Sequence, residues 1–408
     1  MTLIKKLFPS IKNPYDKSAA RILNRLAALF VLLELIKVVG FVSINIPYLL
    51  IIGIILLPVL YIAQSRGLTY VHAYLFYFLY LGLNVLICNP PTVFKSWERL
   101  ALFIMLMLCV SPAIQNDVIR NFRFTCLKYL LNTILVLVLI SFVCFFLGIN
   151  FNSSRFAIGQ NFSHAGVFGG LFWSSMILGP LSAIATCYTV WLYLVTENRT
   201  WILIAIASAG ATLFSASRSA VYGGVIGCII VFLFFNKKRS NGVRRLLMLV
   251  IAACVTFPIW EGALVGINQK NAANTSMGEY GSRTEKFEAR IDEIQSSPIM
   301  GVGFASIDIY GKDVYDPNTG TVEPGSSWLC TMSMTGIIGF LFVLNFFLMA
   351  FRTSKRAQSR FGSLMCGLIA FFAFHFMFEG YVLAGGSVLC FIAWLVLGVG
   401  TDFKYEYE

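Results

Sequence analysis

Residues 133–147 read TILVLVLISFVCFFL, with no charged side chain among them. The apolar character extends over roughly 127–149, enough to cross about 30 Å of hydrocarbon as a helix. Eleven further stretches of this kind lie at approximately 22–42, 45–63, 68–88, 99–114, 166–196, 200–217, 219–235, 245–262, 327–351, 361–381 and 384–401. The one at 166–196 is long enough to include a re-entrant or interfacial start before Gly179-Pro180.

The whole chain shares this character. Of its 408 residues 58% are hydrophobic and 12% charged, mean hydropathy is +0.78, and Phe alone fills 37 positions. An ordinary soluble domain carries about 25% charged residues. A water-soluble globule could not hide so much apolar surface, which excludes a cytosolic enzyme and a disordered protein. The sequence predicts an all-α polytopic membrane protein of about 12 transmembrane helices. Residues 1–262 form an N-terminal bundle of about nine spans, 263–326 an extracytoplasmic loop, and 327–408 three spans and a short cytoplasmic tail. The apolar run after Lys5, Lys6, Lys12 and Lys17 lacks a small-residue cleavage site and reads as an uncleaved first span.

Charge placement sets the expected orientation. With the N-terminus inside, 21 of the 31 Lys and Arg fall in inside segments and nine outside, while Lys37 lies within the first span. That bias fits the positive-inside rule with both termini cytoplasmic. The net charge of +12 is therefore topological. No basic patch interleaved with base-stacking aromatics supports nucleic-acid binding. The ten cysteines show no Cys-x-x-Cys spacing and lie in or beside spans, so they read as small buried hydrophobes.

The long outer loop holds nine of the 19 acids. Within it, Ser282–Ile294 reads as an amphipathic helix with Phe287, Ile291 and Ile294 at helical spacing. Arg283 and Arg290, seven apart, share one face of that helix. They either pair with Glu285, Glu288 and Glu293 on a solvated helix or bind an anion. Pro298 ends the helix, and Gly301-Val302-Gly303 follows. A second cluster, Ser215-Ala216-Ser217-Arg218-Ser219, stands where spans seven and eight meet. An arginine flanked by hydroxyls at a membrane boundary can clamp a phosphate, or simply snorkel from a turn.

Phe214-Ser-Ala-Ser-Arg-Ser-Ala220 resembles the Ser-x-Ser-Arg element of the O-antigen ligase and O-antigen polymerase superfamily. These are bacterial membrane proteins that act on polyprenyl-pyrophosphate-linked glycans. Arg283, the aromatic Phe287 four residues on, and Pro298-Ile-Met-Gly-Val-Gly303 after fifteen are similar to the family's next element. Trp328-Leu329, Thr335-Gly336-Ile-Ile-Gly339 and, upstream, Met176-Ile-Leu-Gly-Pro180 complete a resemblance over roughly residues 155–400. One departure stands out. Family ligases usually carry a His eleven residues before the Gly that matches Gly336, and here that position is Gly325, followed by Ser326 and Ser327. The histidines are His72, His164 and His375, none in the loop.

The resemblance implies a membrane glycosyltransferase without cofactor or metal, in the bacterial inner membrane. It would take an undecaprenyl-pyrophosphate-linked donor and a glycan acceptor, with other polysaccharide-assembly membrane proteins as further partners. The missing His favours a polymerase over an O-antigen ligase acting on lipid A-core. A lipid-linked glycan flippase is the rival from another class, but transporters place charge near the midplane. Candidate pyrophosphate- and substrate-binding residues are Arg218, Arg283, Arg290, Ser217, Ser326, Ser327, Arg155 and His164. The candidate bases are two carboxylates: Glu379, at the end of span eleven, and Glu323, two residues before Gly325. His375, four residues from Glu379, reads as a buried polar partner of that Glu. Glu34 and Lys37 read as a mutually neutralising pair. Asp313, Asp316 and Asn318 miss the calcium-loop pattern and have turn composition.

Overall fold

The computed structural model describes residues 17–42, 48–64, 67–151, 168–235, 284–308, 315–316, 321–322 and 325–403. These are mostly helical, 77% helix and 2% strand. In chain order the helices are α1 (Lys17–Ile36), α2 (Tyr48–Gln64), α3 (His72–Cys88), α4 (Ser96–Val110), α5 (Asp117–Phe146) and α6 (Ser175–Thr196). Then come α7 (Thr200–Phe214), α8 (Arg218–Phe235), α9 (Thr284–Ser296), α10 (Ser327–Arg356), α11 (Arg360–His375) and α12 (Val388–Asp402). The expected span at 245–262 lies outside the described residues; each of the other eleven overlaps one of these helices.

Four helices, α5, α6, α8 and α10, are long and apolar enough to cross a membrane. α12 is buried along its whole length. By contrast α2, α3 and α7 turn Leu57, Leu79 and Leu203 outward. Side chains that water would reject form the outer surface, as lipid-facing helices require.

Two boundaries differ from the hydropathy reading. α5 begins at Asp117 because the Asn116 side chain accepts the Ile119 N–H at 2.9 Å and caps it there. Arg123, expected in an inside loop, is therefore fully buried within α5. Its Nε and Nη2 grip the Asp402 carboxylate at 2.8 and 2.7 Å, tying α5 to the end of α12. α6 begins only at Ser175, capped by Ser174. Ahead of it the chain is extended: Leu171 O accepts from Gly40 N–H at 2.8 Å, and Trp173 N–H donates to Val38 O at 3.2 Å.

Helix α8 runs antiparallel to α11 and crosses it closely. A Cβ added at Gly227 would lie 3.0 Å from Gly367 O, and one at Gly367 would lie 2.7 Å from Gly227 O. Small residues let membrane helices approach to backbone contact. One turn toward the start of α8, Gly223 meets Phe371. This register carries the first residues of α8 to the segment that leaves α11.

The loop helix α9 packs on α10, with its buried stripe rotated from the expected one. Ala289, Arg290 and Glu293 face inward, whereas Ile291 is exposed. After it, residues 298–303 lock into a break in α10. Gly336 takes φ 63°, ψ −173°, which frees carbonyls of the preceding turn. Val302 N–H donates to Ser333 O at 2.8 Å, Gly303 N–H to Met334 O at 3.1 Å, and Ile337 N–H to Pro298 O at 2.9 Å. Asn84 of α3 holds the same segment, donating to Met300 O at 2.6 Å and accepting Phe304 N–H at 2.7 Å.

Candidate functional site

The Ser-Ala-Ser-Arg-Ser turn is built from its own hydroxyls. Ser215 Oγ donates to Thr212 O at 2.7 Å and lies 3.3 Å from Ser217 N, which donates to it. Between them Ala216 takes φ 50°, an unusual left-handed position for a residue with a side chain. The turn lies directly on α6: a Cβ at Gly179 would come within 2.6 Å of Ser217 Cβ. Two motifs separated in sequence, Met176–Pro180 and Phe214–Ala220, are thus one packing unit. Ser215 and Ser219 are buried, and Ser217 and Arg218 are partly exposed at its rim.

Across from the turn stands the loop that follows α11. Ser219 Oγ donates to Glu379 Oε1 at 3.3 Å, and Ser217 Oγ is 3.5 Å from Ser219 Oγ. The structure therefore brings Ser217 and Glu379 together through Ser219, the residue that directly follows Arg218 at the start of α8. His375 is buried; its Nδ1 lies 2.8 Å from the Tyr381 hydroxyl, and its carbonyl accepts Glu379 N–H at 3.0 Å.

Ser326 and Ser327 hold this loop. Ser326 Oγ donates to Phe376 O at 3.1 Å; Ser327 Oγ donates to Glu379 O at 2.6 Å and accepts Tyr381 N–H at 2.9 Å. Both are buried, so their hydroxyls fix the backbone on either side of Glu379. Arg290 is buried too: its Nη1 lies 2.9 Å from Glu293 Oε2 and 3.4 Å from Ser333 Oγ. Burial pushes the Glu293 carboxyl above the ordinary carboxylate range, and the Arg290 cation pulls it partly back. Arg155, His164, Arg283 and Glu323 lie outside the described residues.

Gly325 has a structural occupation of its own. It takes φ +71°, and a Cβ there would sit 3.0 Å from Lys286 Cβ and 3.4 Å from the Phe287 ring. Any side chain at this point, an imidazole included, would strain the backbone and press on α9. Among the described residues no three His, Cys, Asp or Glu side chains converge on a metal position.

Beside the loop opens a cavity of about 610 Å³, walled by residues 380–388, Ser327, Trp173 and the first turns of α4 and α6. Lys37 and Arg99 are its charged lining; the sequence reading treats Lys37 only as the partner of Glu34 and singles out no role for Arg99.

Helices of this number and character, with polar chemistry gathered where α6, α8 and α10 begin and α11 ends, define a multi-pass membrane protein. Residues 203–325 match the family model described as O-antigen ligase, which supports placing the chain in the O-antigen ligase and polymerase superfamily. No curated protein matches the chain. The family match supports a glycosyltransferase-type enzyme of surface-polysaccharide assembly.

Proposed function

We propose that the chain is a polymerase of this superfamily. It would move a glycan from undecaprenyl pyrophosphate to a sugar hydroxyl of a lipid-linked repeat unit, at the outer face of the cytoplasmic membrane. The observation that carries this reading is the contact of Ser219, the residue next to Arg218 in the turn, with the Glu379 carboxylate. In the proposed step the acceptor hydroxyl attacks the anomeric carbon, the bond from that carbon to the pyrophosphate oxygen breaks, and the hydroxyl proton passes to Glu379. Negative charge grows on the departing pyrophosphate, and a positioned guanidinium stabilises charge that develops only then. Arg218 supplies it from the first turn of α8, where the helix dipole has the same sign; Arg283 is its expected companion. Charge neutralisation is assigned to arginine and needs no metal or nucleotide.

The preference for polymerase over ligase rests on Gly325. Where family ligases place a His, this chain has a buried glycine whose φ and close packing on α9 suit no other residue. Deleting the gene and sizing the surface glycan tests the reading. Loss of a polymerase leaves a single repeat unit on the acceptor. Full-length polymer stranded on its carrier would instead identify a ligase, and precursor held inside the cell a flippase.

A further inference from the structure

The cavity beside Glu379 differs from the Arg218 turn in both chemistry and position. Its lining includes two cations, Lys37 and Arg99, and no carboxylate. The Lys37 ammonium is held in place, 2.9 Å from Glu34 Oε2 and 3.5 Å from the Tyr48 ring centroid. Glu34 is fully buried behind it, while the Lys37 side chain keeps 19% of its exposure. Arg99 stands in the first turn of α4. One turn further on, a Cβ at Gly385 would be 2.9 Å from Phe103 Cα, so the glycine-rich loop closes tightly onto α4 beside Arg99. The volume, near 610 Å³, is that of an ordinary ligand site (roughly 300–1,000 Å³). Most of the remaining lining is apolar, with Trp173 offering an aromatic ring of the sort on which a sugar's C–H face stacks.

Arg218 does not line this cavity, yet the two share a wall. Gly380 and Tyr381 border the cavity, Glu379 precedes them, and Ser327 both lines the cavity and anchors that stretch of backbone. Two cationic positions therefore flank one carboxylate. In an in-line displacement the nucleophile approaches the anomeric carbon on the side opposite to the departing group. If both substrates hang from a lipid diphosphate, their anions repel, and each needs its own counter-charge.

We propose that this cavity is the acceptor's subsite, in which Lys37 and Arg99 bind the diphosphate ester of the acceptor's lipid carrier while Arg218 serves the donor's. The assignment rests on the polymerase reading above. It makes the enzyme a two-diphosphate protein, with Glu379 between the two anchors.

The test uses the full-length protein in nanodiscs of zwitterionic lipid, titrated calorimetrically with farnesyl pyrophosphate and, separately, with inorganic pyrophosphate. Wild type should bind two equivalents of the farnesyl ester. Arg99→Gln should lose one of them, its affinity falling by about tenfold or more as a charge-assisted contact disappears. Because Lys37 neutralises Glu34, its role is read in the double variant Glu34→Gln/Lys37→Met, which strands no buried charge and should also lose one site. Arg218→Gln should lose the other. A single site, abolished by Arg218→Gln and untouched by Arg99→Gln, overturns the proposal. So does inorganic pyrophosphate binding at the Lys37–Arg99 site as tightly as the ester, since that assigns the cavity to a free anion. Two-site binding together with a ligase-type deletion phenotype keeps the second diphosphate subsite and removes only the polymerase reading.

Discussion

The Ser219 hydroxyl donates to the Glu379 carboxylate across 3.3 Å and joins residues 160 positions apart in the chain. The contact exists because glycines on α8 and α11 let those helices touch, and the antiparallel register delivers one residue to the other. If Glu379 takes the acceptor's proton, Glu379→Gln should lower kcat by roughly 10²–10⁴-fold and erase the acidic limb of the pH–rate profile. Ser219→Ala should cost about tenfold through misplacement of that carboxylate, with the acidic limb kept. An unchanged limb in the Gln variant removes Glu379 as the base.

Arg218→Ala should abolish polymer in cells while the protein still inserts. In a purified assay the loss should be on the order of 10²–10³-fold in kcat, the scale for one charge-stabilising group in a transition state. Arg218→Lys should recover little, because an ammonium cannot present the planar fork that fits a phosphate. Sizing the glycan and blotting the membranes checks both statements.

Arg290 and Glu293 make a pH-dependent stability prediction. Glu293 holds its proton more tightly in the folded state, so its contribution is fully present below the ordinary carboxylate range. That contribution is lost as pH rises through the raised value. Arg290→Met removes the cation that counters burial and raises that value further. The variant should therefore resemble wild type at acidic pH and lose about 3–5 kcal/mol by neutral pH. Arg290→Met/Glu293→Met removes this pair's titration and should lose less stability toward neutral pH than Arg290→Met alone. Thermal melts in detergent from acidic to neutral pH decide the matter. Activity of the folded double variant then tells whether Arg290 also serves the substrate.

Gly336→Ala should be among the most damaging small substitutions in the chain. The added Cβ would overlap the Ile299 carbonyl, at a φ of +63° that alanine disfavours. We expect the melting midpoint to fall by several degrees or the protein to be lost from the membrane. Gly82→Ala on α3, where a Cβ meets nothing within 4 Å, should be neutral or slightly stabilising.

Hydropathy alone located eleven of the described helices, because apolar length is a local property and a span needs little else. It misplaced Arg123: the first turns of α5 are polar, and a counter-charge 279 residues away, Asp402, with the carbonyls of Ser111 and Ile114, makes burial of that arginine tolerable. The Ser-x-Ser-Arg turn and the boundary carboxylate Glu379 were each visible as unusual residues at a membrane edge. Their contact was not, since it depends on the crossing of two helices whose glycines could equally have packed elsewhere. Lys37 and Arg99 escaped notice for a related reason. A cavity gathered from several separate segments leaves no spacing to read.

The interlock between residues 298–303 and the break at Gly336 bears on how such proteins can be recombined. The backbone of 298–303 completes the hydrogen bonding of a membrane helix, so the segment that follows α9 shares one set of donors and acceptors with α10. A graft that exchanges the loop by cutting at residue 326 would pair one protein's segment with another's kink and leave peptide groups unmatched inside the bundle. The unit that can be transplanted between relatives runs from α9 through Gly339, and the face of α3 that bonds to it, Tyr80, Asn84 and Cys88, must travel with it.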